Sequence, residues 1–173
     1  LLFEKYVQVV DAIKPSALVL ENVPGMKVAH TSKEGDREQE DHATESFYEK
    51  LKRSLESIGY EVLGKIIDAS GFGVPQKRSR LIVIGLRKNL ADNLSGGIGR
   101  AFEILETKRK EQLAELGLSE SISAEEALSD LRGDLMGFQI CNDPASRPGY
   151  LEPMYKGPVS AYQKLMHKHH RGN

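Results

Sequence analysis

The stretch YEVLGKIIDASGFGVPQKRSRLIVIGLRK, Tyr60–Lys88, decides how this chain folds. Two apolar runs, Tyr60–Ala69 and Leu81–Ile84, flank a loop punctuated by Gly71, Gly73 and Pro75. With no helix between them, the strands on either side of that loop are expected to run antiparallel. Upstream, Phe47, Leu51, Leu55 and Ile58 recur at helical spacing, and Gly59 stands where a helix closes at its C′ position. This helix, expected over Glu45–Ile58, is preceded by the short run Ala17–Leu20, which begins after Pro15 ends an earlier helix. Its uniform apolarity reads as a strand buried on both faces. Strand, helix, strand is a βαβ unit, so residues 17–21 and 60–69 are expected to run parallel through a right-handed crossover. The fold class that follows is α/β: parallel strands plus an antiparallel last strand over Arg80–Leu86.

At 173 residues and 19.2 kDa the chain is the size of one domain with a real core. Its 24 Lys and Arg nearly cancel 25 Asp and Glu, so a nucleic-acid or membrane partner must be met by a local patch. The single cysteine, Cys141, excludes an internal disulfide. No signal peptide and no apolar run of roughly 18 residues is present, so a soluble cytoplasmic protein is expected. Leu1–Ile13 reads as a helix with Leu2, Tyr6, Val9, Val10 and Ile13 on one side. It begins without a Met or an N-cap, and the chain is expected to be cut from something longer. Lys27–Thr44 is polar and reads as a mobile loop. Arg100–Leu116 is expected to form a mostly solvated helix capped by Gly117, and Ser123 and Glu126 have capping-box spacing for a short helix through Leu131. Beyond Arg132 periodicity fades.

Two constellations can carry chemistry. Glu21-Asn22 lies where an apolar strand delivers a carboxylate and an amide to the carboxyl edge of a sheet, the usual site position in open α/β folds. The plainer alternative is a strand-end pair bonded to its own turn. Gln76, Arg78 and Arg80 form the second: in an extended segment they would share one face over roughly 13 Å, an array suited to phosphates and base oxygens. Solubilising cations beside a strand are the alternative. His167, His169 and His170 fit no closed zinc pattern and read as a solvated basic segment, while His30 and His42 read as surface residues. Cys141 reads as an ordinary small residue, and Ser95–Gly99 (SGGIG) as a flexible linker rather than a phosphate cradle.

LLFEKYVQVVDAIKPSALVLENVPGM followed by DASGFGVPQKRSRLIVIG resembles the middle of a DNA (cytosine-5) methyltransferase, with the Glu-Asn-Val motif and then the Gln-x-Arg-x-Arg motif. SAEEALSDL and GPVSAYQKLMHK are similar to the stretch that enters the family's variable target-recognition region. The resemblance is specific through Gly85 and looser afterwards. Arg132 stands where the family often has Pro, and His167 where it often has Arg.

The resemblance implies the second half of a Rossmann-like methyltransferase domain over 1–88, then a helical insertion and the start of the target-recognition region over 89–173. It implies S-adenosylmethionine as cofactor, double-stranded DNA as partner, a monomeric parent and a bacterial restriction-modification system, with no metal. The family's Pro-Cys nucleophile and Gly-rich cofactor loop lie upstream of Glu-Asn-Val and are not in this sequence, so the chain alone is expected to be catalytically silent. By resemblance Glu21 binds nitrogen 3 and the exocyclic amine of a flipped-out cytosine, Arg80 holds oxygen 2, and Asn22 braces the nucleophile's loop. Arg78 contacts Glu21 or phosphate, and Gln76 is structural. In the family the returning strand lies between the other two, which would bring Glu21 and Arg80 within about 10 Å at one sheet edge. A non-catalytic DNA-binding homologue is the rival reading, and an unrelated Rossmann-like enzyme a weaker one.

Overall fold

The computed structural model describes residues 2–28, 45–155 and 157–168. The polar segment from residue 29 to 44, with His30 and His42, lies outside the described residues, as do His169 and His170. By contacts the chain divides into two compact units, Leu1–Asp68 with Ser79–Lys108, and Ala69–Arg78 with Arg109–Asn173.

The first unit is built on a three-stranded sheet. Helix α1 (Leu2–Ile13) leads into β1 (Ala17–Asn22), and a 3-10 turn, Pro24–Lys27, follows it. Helix α2 (Phe47–Ser57) starts at Ser46, whose hydroxyl accepts the Glu49 N–H, and ends at Gly59 with φ +91°. That left-handed turn is sterically open to glycine and feeds the chain straight into β2 (Tyr60–Asp68). Strand β3 (Ser79–Arg87) returns between the other two: the order is β1-β3-β2 and both pairings are antiparallel.

Strands β1 and β2 therefore point the same way, as the helix between them demands, but they are not neighbours. No parallel pair forms among the described residues, because β3 occupies the place between them, the position the family resemblance implied for the returning strand. The expectation for β1 needs correction. Val19 is 68% exposed and the strand alternates, so it is covered on one face rather than two.

The core lies on one face of the sheet. Leu18, Tyr60, Val62, Leu81 and Val83 meet Val10 of α1 and Tyr48, Leu51 and Leu55 of α2. Leu51, Leu55 and Leu81 are completely buried, each worth roughly 1.5–3 kcal/mol relative to exposure. Two strand glycines permit this closeness. A Cβ at Gly85 would sit 2.9 Å from Leu18, and one at Gly64 only 2.5 Å from the Tyr48 ring. Gly64→Ala is accordingly expected to destabilise the protein by about 1–3 kcal/mol through overpacking. A denaturation midpoint unchanged from the parent would show that Tyr48 gives way freely.

On the opposite face, Ile98 and Phe102 are buried, the Glu61 carboxylate accepts the Ile98 N–H at 3.4 Å, and the Lys65 ammonium lies 5.0 Å from the Phe102 ring centre. The Ser95–Gly99 segment is thus a packed turn and not a linker. It carries the chain from α3 (Lys88–Ala91) into α4 (Gly99–Glu115), with Gly96 and Gly97 at positive φ.

The second unit holds the loop after β2, the end of α4 and everything beyond. Gly117 takes φ +64° after α4, and Ser123 caps α5 (Ala124–Leu128) by accepting the Glu126 N–H at 3.0 Å. A short helix α6 (Gly133–Met136), a hairpin of β4 (Phe138–Ile140) and β5 (Leu151–Pro153), and α7 (Ala161–Lys168) follow. Gln163 of α7, 2% exposed, accepts the N–H groups of Val159 and Ser160 and donates to the Ser129 hydroxyl. One turn later His167 lies 3.4 Å from the buried Asp130 carboxylate and stacks on Tyr155. His167 is therefore a docking residue of its helix rather than part of a solvated basic segment. Cys141 is half-buried beside the Ser146 hydroxyl.

Candidate active site

The pleat decides which side chains meet at the end of β1. Glu21 stands opposite Ile82 in the register, so Arg80, two residues earlier on β3, is its diagonal neighbour on the same face. The Arg80 Nε lies 2.6 Å from the Glu21 Oε1, and Nη1 of the same guanidinium donates to the Ser79 carbonyl at 2.9 Å. A slip of one residue would send the two to opposite faces. The Glu21 side chain is 57% exposed and that of Arg80 22%, so the pair contributes no more than about 1 kcal/mol and can be opened at small cost.

Asn22 does what the plainer reading expected: its side-chain oxygen accepts the Val23 N–H at 2.8 Å and steadies its own turn. Glu21 does not, since its carboxylate crosses to another strand. A cleft of about 890 Å³ opens at Glu21 and Asn22, which line it together with Phe3, Tyr6, Leu20 and Met26; Arg80 is not part of its wall. A polar pair next to an apolar wall suits a flat ring gripped by its polar edge.

Gln76 and Arg78 belong to the second unit and are exposed. The expected single-faced array does not reach Gln76, because the backbone bends there, the Gln76 N–H reaching the Val74 carbonyl at 2.7 Å. Pro75 within the segment disfavours a continuous strand. The loop is closed by the Ala69 N–H on the Arg78 carbonyl at 3.0 Å and tied by Arg109, which donates to the Gly71 carbonyl at 2.6 Å.

Gly71 and Gly73 follow a strand end, but they do not fit a cofactor cradle: a Cβ at Gly73 would strike Leu113 at 2.8 Å, so this glycine serves packing. Among the described residues no cluster of His, Cys, Asp and Glu is placed to hold a metal ion, and no helix is long and apolar enough to cross a membrane. The sequence reading missed Lys27, Tyr48 and Gly64, which meet beneath the turn after Glu21. The one available signal was a glycine inside a strand, the mark of a close approach.

An α/β sheet with a carboxylate-guanidinium pair at a strand's carboxyl end can bind a planar polar heterocycle and polarise it. The chain belongs to the C-5 cytosine-specific DNA methylase family, whose model matches residues 1–147. It is 39% identical over 97 residues to the type II methyltransferase M.Bpa9945I of Bacillus paralicheniformis, covering 51% of this chain and 19% of that protein. Identity with the DNA (cytosine-5-)-methyltransferase M.ApeKI of Aeropyrum pernix is 39% over 99 residues, or 52% and 21% of the two chains. The type II methyltransferase M.DdeI of Desulfomicrobium norvegicum is 30% identical over 175 residues, 97% of this chain and 36% of its own. The chain thus spans between 19% and 36% of the length of these curated relatives.

Proposed function

We propose that this chain is the second half of the Rossmann-like catalytic domain of a DNA (cytosine-5-)-methyltransferase, over residues 1–88, followed by the start of its target-recognition region over 89–173. The parent transfers a methyl group from S-adenosylmethionine to carbon 5 of a flipped-out cytosine in duplex DNA. It acts as a cytoplasmic monomer in a restriction-modification system. The observation that carries this reading is the 2.6 Å contact between Glu21 and Arg80.

Cytosine resists a nucleophile at ring carbon 6 unless electron density is drawn toward nitrogen 3 and oxygen 2. Glu21 would meet nitrogen 3 and the exocyclic amine, and Arg80 would turn one of its N–H groups to oxygen 2. Such preorganised groups stabilise charge where it develops. Flipping is needed because the ring is inaccessible inside the stack. Asn22 holds the turn behind Glu21 through its oxygen, leaving its amide nitrogen to brace the nucleophile's loop. Arg78 contacts phosphate, which positions the duplex without reading it, and Gln76 shapes the bend. Among the described residues the loop with Gly73 does not fit a cradle for the methyl donor, whose binding would fall to the rest of the parent.

The test uses the full-length protein with radiolabelled S-adenosylmethionine and mixed-sequence duplex DNA, digested to nucleosides. Label is expected in 5-methylcytosine. DNA binding without label would identify a non-catalytic homologue, and label on an exocyclic nitrogen would overturn the assigned chemistry.

A further inference from the structure

Lys27 closes the turn that follows Glu21 and Asn22, and its ammonium donates a 2.8 Å hydrogen bond to the Gly64 carbonyl on β2. Since β3 lies between β1 and β2, one side chain ties the segment leaving the first strand to the far strand of the sheet. The same ammonium lies 4.8 Å from the centre of the Tyr48 ring, whose hydroxyl accepts the Gly64 N–H at 2.8 Å. Both backbone groups of Gly64 are thereby taken by side chains. A charge-assisted hydrogen bond reinforced by an aromatic face is a firm anchor for a single lysine.

We propose that Lys27 is a positioning residue that holds Glu21 in place while the base is bound, an inference that rests on the roles given above to Glu21 and Arg80. At rest the Glu21 carboxylate is held by Arg80, and its main chain by pairing with β3 on one side and by the turn that Lys27 anchors on the other. Once Arg80 turns toward the base, the first hold weakens just as alignment begins to matter. The second persists, because Lys27 is bonded to a backbone carbonyl and an aromatic ring, neither of which any substrate replaces. The turn itself is stiff: Met26 N–H reaches the Val23 carbonyl at 3.1 Å and Val28 N–H that of Gly25 at 3.0 Å. A displacement at Lys27 is therefore passed back along a short, hydrogen-bonded path to Glu21.

The experiment compares Lys27→Met, Lys27→Arg and Tyr48→Phe in the full-length protein, with kcat on saturating DNA, DNA affinity and thermal midpoint measured for each. Lys27→Met is expected to lower kcat by about 10-fold or more, as misplacement of a reacting group does, with DNA affinity unchanged and most of the loss recovered by Lys27→Arg. Tyr48→Phe, which keeps the ring and the Lys27 bond, is expected to lose stability without that loss of kcat. A normal kcat for Lys27→Met, a kcat loss that Lys27→Arg does not recover, or an equal loss in Tyr48→Phe would each overturn the proposal. Glu21→Gln serves as the reference: if it stays active the underlying site reading fails, and if it is inert beside a normal Lys27→Met only the role of Lys27 falls.

Discussion

Arg80→Ala in the full-length enzyme is expected to cut kcat by about 10²–10³-fold, the usual loss when one donor to a developing charge is removed, while DNA affinity changes little. Affinity for duplex DNA rests mainly on phosphate contacts spread over the interface. A buried end-on contact to one base oxygen adds little to it but acts on the step in which that oxygen gains charge. The structure sharpens the expectation. Arg80 is partly buried, on a central strand, and fixed through Ser79 and Glu21, which is unlike a surface cation reaching for phosphate. Arg80→Lys should recover only part of the activity, since an ammonium cannot keep two directed bonds while making a third in the same plane. Steady-state kinetics on saturating DNA, together with a binding isotherm, decide the matter: normal kcat with collapsed affinity would make Arg80 a phosphate anchor.

Glu21→Gln is expected to be at least as severe, a loss of about 10²–10⁴-fold in single-turnover methyl transfer, the range associated with a positioned general acid. The amide keeps the shape of the side chain, so the cleft and the turn behind it stay as they are. Because the Glu21 side chain is more than half exposed, removing its charge should alter stability by no more than about 1 kcal/mol, and a large loss of activity cannot then be blamed on unfolding. An active Glu21→Gln enzyme would take the acid role away from this residue.

The features legible beforehand share a cause. The stripe Phe47–Leu51–Leu55–Ile58 with Gly59 behind it is a strong periodic signal, and α2 forms where that signal lies. A short Gly/Pro loop fixes the direction of β3, while its place beside β1, which brings Arg80 to Glu21, was implied by the family resemblance and not by the pattern. What stayed hidden was non-local or weakly patterned. Four apolar residues at Ala17–Leu20 cannot tell one covered face from two, and Val19 proved exposed. The β4–β5 hairpin has three-residue strands with no buried position among Phe138, Gln139 and Ile140, hence no alternation to read. Lys27 and Gly64 are 37 residues apart, and nothing local to either announces the other. Gln163 is buried by hydrogen bonding rather than apolarity, so hydrophobic patterning passes over it.

The central place of β3 governs the order in which this region can come into being on the ribosome. Strand β1 emerges first and β2 next, yet each finds its ladder partner in β3, the last of the three to be made. At about 5–20 residues per second, the edge of β1 that pairs with β3 waits for seconds before its partner is made. Docking of β3 then closes both ladders together, a non-local event of the kind that slows folding. The same event delivers Arg80 to Glu21. Nascent chains ending before Ser79 therefore lack both β3 ladders and the Glu21–Arg80 contact, and all three arise in a single step.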